Sequence, residues 1–394
     1  MRTDLKAWGI VIVILVVSTT FAGCLESNAP DDNNNNPTGN IKIGVLLPLT
    51  GGIASIAGAM QNAVNLARDD INAGGGINGK KLVIVPGDSK LDPTVGISEL
   101  ERVLGEGVQA VVGEVSSTIT RSCAQEIQTK NKKVVLISPA STYTELTYPT
   151  RLYPYFFRDV PNDAIQGPKA AEAAKGKLGA TKVVIMFEKN EYGIGLRDEF
   201  TKKFEALGGT ILSKPSPDKY AFDVNAVDFS TQVLQAIAQS PDMIYIPGHY
   251  REISLIVKGL VTSGFTGKIM ASEAYEAEDV FNIAGNAVNG VYFMKPTAEV
   301  ARSNYTRFVT SYTAKYGTAP SAFCDFAYDA VLVIATAIGK VGNDGTKIKG
   351  YLDTHTFTNA ITRDVQFDQY GDVKNADYTL YVTDAANREF KPVP

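Results

Sequence analysis

Histidine, cysteine and tryptophan are scarce in this chain, with two, three and one respectively among 394 residues. The two histidines, His249 and His355, are far apart, and no HExxH, GxSxG or CxxC spacing occurs. No GxGxxG follows the first β-rich run. Gly51–Gly52 is too short to cradle a pyrophosphate, and Gly74–Gly75–Gly76 closes a helix instead of opening one. Charge of one sign is missing too: 38 basic and 42 acidic residues, dispersed along the chain, leave a net charge of −4. Without a basic patch, nucleic acid is a poor partner. These absences point away from an enzyme and call for no cofactor or metal.

What the chain does have is apolar material, 44% of its residues, enough for two ordinary cores. The first 24 residues differ from the rest. Arg2 and Lys6 precede a nearly unbroken apolar run, Ala7 to Val17, and small residues follow. That order predicts a secretory signal over 1–23. The run falls short of the about 20 residues of a comfortable membrane span, and a retained N-terminal anchor helix is the alternative. Phe21–Ala22–Gly23–Cys24 resembles the lipobox of exported lipoproteins, which makes Cys24 the candidate lipidation site. Residues 24–40 are polar, with four consecutive asparagines, and read as a disordered tether. The expected place of work is outside the cytoplasm, anchored at the outer face of the cytoplasmic membrane or in a periplasm. Cys123 and Cys324 sit in apolar, helix-like stretches and are expected to be buried free thiols.

From Asn40 onward strands and helices alternate, which argues for α/β architecture with parallel sheets covered on both faces. Strands are predicted at Ile41–Leu47, Lys81–Val85, Gln109–Val112 and Val134–Ile137. The pattern restarts after Pro161, with strands at Lys182–Phe187, Thr210–Ser213, Met243–Ile246, Lys268–Ala271 and Val288–Phe293. A helix is expected over Leu196–Leu207. Two further helices, Ser303–Tyr316 and Ala322–Ile338, come next. The end then reads as an antiparallel hairpin of Ile361–Phe367 with Tyr378–Val382.

Ligands of open α/β sheets bind beyond the carboxyl ends of the strands. The loops there are rich in hydroxyls. Ser116–Ser117–Thr118 and Ser141–Thr142 can each cap a helix, and a helix start favours a carboxylate. Capping alone would also explain them.

At this point the order of elements and the loops resemble the periplasmic branched-chain amino-acid-binding proteins, type I solute-binding proteins of ABC importers. The marks are Thr50–Gly51, Asp70–Ile71–Asn72, Gly75–Gly76–Ile77–Asn78–Gly79, Ser138–Pro139–Ala140–Ser141–Thr142, Tyr192–Gly193–Ile194–Gly195–Leu196, Asp228–Phe229–Ser230 and Gly317–Thr318–Ala319–Pro320–Ser321–Ala322–Phe323. The resemblance covers about residues 41–390. It implies two doubly wound, Rossmann-like lobes joined by a three-strand hinge: 41–160 plus 297–362, and 161–296 plus 363–394. It further implies a monomer that closes on an amino acid, hydrophobic or branched-chain, and delivers it to an ABC permease.

By the same resemblance Ser117, supported by Thr142 from the next loop, holds the ligand carboxylate; Thr118 and Ser141 beside them are further ligand-binding candidates. Ala140, Thr142 and Glu273 hold the ammonium, and Tyr192 packs over the ligand. A zwitterion needs donors at one end and an anion at the other. Two positions depart from the family: Ile56 stands where a large residue is common, and His249 where tyrosine is common. A family disulfide would join Leu91 and Ser116 here, so that bridge is absent. The rival readings are a binder of a small amide or another carboxylate, and a ligand-sensing receptor ectodomain. A sensor is expected to continue into a membrane span and an output domain, and no such stretch follows the body before Pro394.

Overall fold

Five short strands rich in Val, Ile and Leu open the folded body: β1 (Ile41–Leu47), β2 (Leu82–Asp88), β3 (Ala110–Gly113), β4 (Val135–Ser138) and β5 (Phe156–Arg158). They form one sheet in the order β2-β1-β3-β4-β5, parallel throughout. Four consecutive buried residues in β3 and in β4 are what a sheet covered on both faces requires. The computed structural model describes residues 39–394. The expected signal peptide, Cys24 and nearly all of the tether lie outside the described residues.

Helices α1 (Ala54–Ala73), α2 (Pro93–Gly105) and α3 (Ser117–Thr129) connect the strands. Asp92 caps α2 through the N–H groups of Thr94 and Val95, with Pro93 at the first helical position. After β5 the chain crosses into α4 (Asp163–Glu172), which widens into a π-turn over Ala173–Lys177.

The second sheet contains β6 (Lys182–Ile185), β8 (Thr210–Ile211), β10 (Met243–Ile246), β11 (Lys268–Ala271) and β12 (Tyr292–Pro296) in parallel. Between them run a short side pair, β7 (Phe187–Glu188) with β9 (Ala221–Phe222), and four helices. These are α5 (Glu191–Ala206), α6 (Ser230–Ala238), α7 (Tyr250–Thr262) and α8 (Asp279–Ala284). The chain then returns to the first sheet. There α9 (Ser303–Tyr316) and α10 (Cys324–Val341) pack on α1, with Tyr312 and Tyr316 donating to the carbonyls of Ala59 and Asn62 at 3.0 and 2.9 Å. Helix α11 (Gly345–Leu352) and the pair β13 (Thr356–Phe357) and β14 (Val365–Gln366) follow.

The α/β reading holds, but the tail is paired differently from the sequence-based expectation. Ile361–Phe367 is not the partner of Tyr378–Val382. Instead β15 (Tyr378–Asp384) adds to the second sheet antiparallel to β12 and turns back into β16 (Glu389–Pro392), which pairs antiparallel with β15 at the sheet edge. Alternation marks a strand but not its partner, because register is chosen by the buried face available to it. Leu380 finds that face beside Met294, in the core under the second sheet. Cys123 and Cys324 are buried and free. Burial pushes the Cys123 thiol up, and the Cys324 thiol up to about 12.

Candidate functional site

The carboxyl ends of both sheets face one another across a cavity. From the first sheet come Ile53 and Ile56 at the start of α1, Val115, Ser116 and Ser117 after β3, and Ala140 after β4. Phe323, just before α10, closes the same wall. From the second sheet come Tyr192, His249, Glu273 and Ala274. The two sides touch directly: Ser55 donates to the Tyr250 hydroxyl at 3.1 Å, and Arg121 on α3 pairs with Glu191 on α5 at 2.9 Å.

The wall of the first sheet is held by a carboxylate that sequence reasoning missed. Glu114 is fully buried, and burial pushes its carboxyl up to about 7. It accepts from Ser89 Oγ at 2.8 Å and from the Ser116 N–H at 2.6 Å. Ser138 donates to the Glu114 carbonyl at 2.6 Å. The Glu114 clamp was invisible in sequence because its partners lie 25 residues before and two after it.

Ser117 begins α3, and neither it nor Ser116 caps the helix with its side chain. The first N–H groups of α3 thus have no intrahelical acceptor and lie beside the cavity. The Ser117 hydroxyl accepts from the Tyr143 N–H at 3.3 Å.

Three of the expected residues stand apart from the cavity lining. Ser141 Oγ is occupied with Thr120 Oγ1 at 2.6 Å and with the carbonyls of Glu114 and Val115 at 3.0 Å. It stitches two loops together and caps no helix. Thr118 is half-buried on α3, one residue past the lining. Thr142 is fully buried behind the wall, where its hydroxyl faces Asp163 outside regular hydrogen-bond geometry.

On the other side, Asn190 caps α5 by accepting from the Gly193 N–H at 2.9 Å. The helix therefore starts at Glu191, five residues before the expected Leu196, and Tyr192 sits in its first turn instead of a free loop. The missed signal was Asn190 itself, an ordinary N-cap residue. His249 immediately precedes α7, does not cap it with its side chain, and stacks obliquely on Tyr192, ring centres 5.5 Å apart. Its Nδ1 meets both oxygens of buried Glu188 at 2.9 and 2.7 Å, and its N–H donates to the same carboxylate at 2.9 Å. Burial pulls the imidazole pKa down, but Glu188 outweighs it and the net shift is upward.

Glu273 follows β11 in a single turn of 3₁₀ helix. It is 1% exposed, and burial pushes its carboxyl up to about 7. One oxygen accepts from Gln166 Nε2 on α4, and the other has no partner.

Phe323 was also missed as a lining residue. The chain reaches it at φ +64°, a conformation a bulky side chain rarely adopts, and α10 starts at the next residue, Cys324. The site therefore offers free N–H groups on one wall, an unpaired carboxylate on the other, and apolar surface from Ile53, Ile56, Val115 and Phe323 between them. Among the described residues no group of three or more His, Cys, Asp or Glu is placed to hold a metal ion, and no helix is long and apolar enough to cross a membrane.

Comparison with known proteins decides the family. The family model described as periplasmic binding protein matches residues 40–387. The chain belongs to the periplasmic binding protein family. It is similar to the leucine-, isoleucine-, valine-, threonine- and alanine-binding protein of Pseudomonas aeruginosa, 28% identical over 89% of this chain and 92% of that one. The Leu/Ile/Val-binding protein of Escherichia coli K12 is 26% identical over 87% and 90%.

Among solved structures, a leucine-binding protein from Thermotoga maritima superposes with a TM-score of 0.82 at 29% identity, covering 90% of this chain and 98% of that one. A branched-chain amino acid transporter substrate-binding protein from Streptococcus pneumoniae, solved with isoleucine, gives 0.79 at 26% identity over 90% and 99%. The resemblance drawn from the loops is borne out, and this periplasmic binding protein is a solute-binding protein of the type I fold. Members of the family act outside the cytoplasm.

Proposed function

We propose that this binding protein captures an α-amino acid with an aliphatic side chain and releases it to an ABC permease. The observation that carries the reading is the polarity of the cavity. The uncapped start of α3 faces a buried carboxylate, Glu273, with an oxygen left unpaired. A zwitterion satisfies both ends at once: its carboxylate takes the helix N–H groups, and its ammonium takes Glu273 and the Ala140 carbonyl. Ile53, Ile56, Val115 and Phe323 leave the side chain an apolar place to sit. The names of the relatives, which bind leucine, isoleucine and valine, support the same class.

Capture proceeds by closure, with 41–160 plus 297–362 moving against 161–296 plus 363–394 about the crossovers. Ligand contacts made only in the closed form shift that equilibrium, and no covalent step is involved. Tethering through Cys24 to the membrane surface would keep the monomer near its permease.

Titration calorimetry of the purified protein against the twenty amino acids tests the reading. Leucine, isoleucine or valine should bind with a Kd of about 1 μM or tighter, the equivalent of about −8 kcal/mol. Silence from all twenty would sink it.

A further inference from the structure

The chain passes between the two sheets three times: after β5, after β12, and between β14 and β15. Any rotation of one sheet against the other is taken up in these three segments. Arg363 lies where they meet and is 5% exposed. Its guanidinium donates to the Thr297 carbonyl in the second crossing and, at 3.3 Å, to the Asn375 carbonyl in the third. It also lies 5.9 Å over the ring of Phe326 on α10.

The first crossing faces Arg363 with Asp159, which is 1% exposed. The Asp159 N–H is anchored to the Ser138 carbonyl, at the end of β4, at 3.3 Å. Neither carboxylate oxygen of Asp159 has a hydrogen-bond partner, and the Nε–H of Arg363 has none either. Among the described residues neither side chain belongs to an ion pair within 4.0 Å. Asp325 and Asp329 on α10 repel Asp159, and Arg363 is the cation that attracts it. The neighbouring charges have other partners. Asp329 accepts from the N–H groups of Ile361 and Thr362 at 2.6 and 2.9 Å, and Lys295 is held by Glu276.

Opposite charges buried near one another but not joined are a costly arrangement inside a protein. Partners with no other claim on them form a pair that belongs to a different conformation. In the present one the two sides already touch across the cavity, through Ser55 with Tyr250 and Arg121 with Glu191. The other conformation is therefore the open one. Asp159 travels with the first crossing and Arg363 is tied to the second and third, so opening changes their separation.

We propose that Asp159 and Arg363 are a hinge latch, an ion pair joined in the open form and parted in the closed one, which holds the ligand-free protein open until ligand contacts offset the parting. The inference rests on the closure reading above.

Small-angle scattering and leucine calorimetry on the purified protein test it, with Asp159→Asn as the variant. The substitution removes an unpaired charge from the closed form and weakens the pair in the open form. The ligand-free radius of gyration should move toward the leucine-saturated value, while the saturated value stays as it is. Leucine should bind at least about fivefold tighter, because apparent affinity scales with the competent fraction. An unchanged ligand-free radius, or leucine affinity that is unchanged or weaker, overturns the inference.

Asp159→Ser repeats both measurements should the asparagine variant fail to fold. Failure of both to fold assigns Asp159 to the scaffold and also overturns the latch. An unaltered protein that binds no amino acid, or keeps its radius on binding, removes the closure reading and the latch with it. One that closes on leucine, with Asp159→Asn behaving identically, removes the latch alone.

Discussion

Glu273 shows how one side chain can be costly to the fold and useful to the site. Its carboxyl is out of water, half-satisfied by Gln166, and pushed up to about 7 by burial. A cation is what such a group lacks. Glu273→Gln keeps the shape and removes the charge. Leucine affinity should fall about 10- to 100-fold in calorimetry, since hydrogen bonds to charged groups are worth about 1.5–3 kcal/mol. His249 is used differently. With Nδ1 committed to Glu188, it orients a wall of the cavity and packs on Tyr192.

The imidazole pKa is held above its ordinary 6.5, so its pairing contributes stability fully below about pH 6.5. That contribution is lost as pH rises through the elevated folded value. Chemical denaturation of Glu188→Gln should therefore show a deficit of about 1–3 kcal/mol at pH 6 that shrinks by pH 9. A deficit that grows with pH would contradict the assignment.

At the scale of elements, the start of α5 matters most. Asn190 caps it, and Gly193 lies so close to the preceding strand that a Cβ there would stand 2.2 Å from the Glu188 carbonyl oxygen. Gly193→Ala must push the helix off that strand and displace Tyr192 with it. A loss of about 2–4 kcal/mol in denaturant unfolding is expected, at the severe end for a single methyl group.

Sequence periodicity located the body of this helix but placed its start five residues late, because one polar cap outweighs the weak pattern of Glu191–Gly195. The same limit hid β5, which is three residues long, and α11, an eight-residue helix whose fully buried apolar side chains are Ile348 and Leu352. The hairpin was assigned to the wrong partner for a related reason. Local alternation is shared by many candidate strands, whereas pairing is settled by which sheet edge is free.

For the whole molecule, the consequence of a cleft bridged by ligand is linkage. Anything bound only by the closed form stabilises it, by about 2.7 kcal/mol at a hundred times Kd. Leucine at that excess should raise Tm by several degrees in a thermal scan, and 4-methylpentanoate, the same carbon skeleton without the ammonium, by much less at the same concentration. Equal shifts would deny the cavity its preference for the ammonium.

By itself the sequence determined the α/β alternation and the exclusion of familiar enzyme motifs, because these follow from local periodicity and from residues that are simply missing. It also marked the strand-end loops from which Ile56, Ser117, Ala140, Tyr192, His249 and Glu273 reach one cavity. Only the tertiary structure could show that Ser141 is spent on stitching loops, that Glu114 clamps the wall, and that Gln166 stands behind Glu273. Those roles depend on contacts between residues as much as 107 positions apart, where burial and the shortage of hydrogen-bond donors decide what each side chain can do.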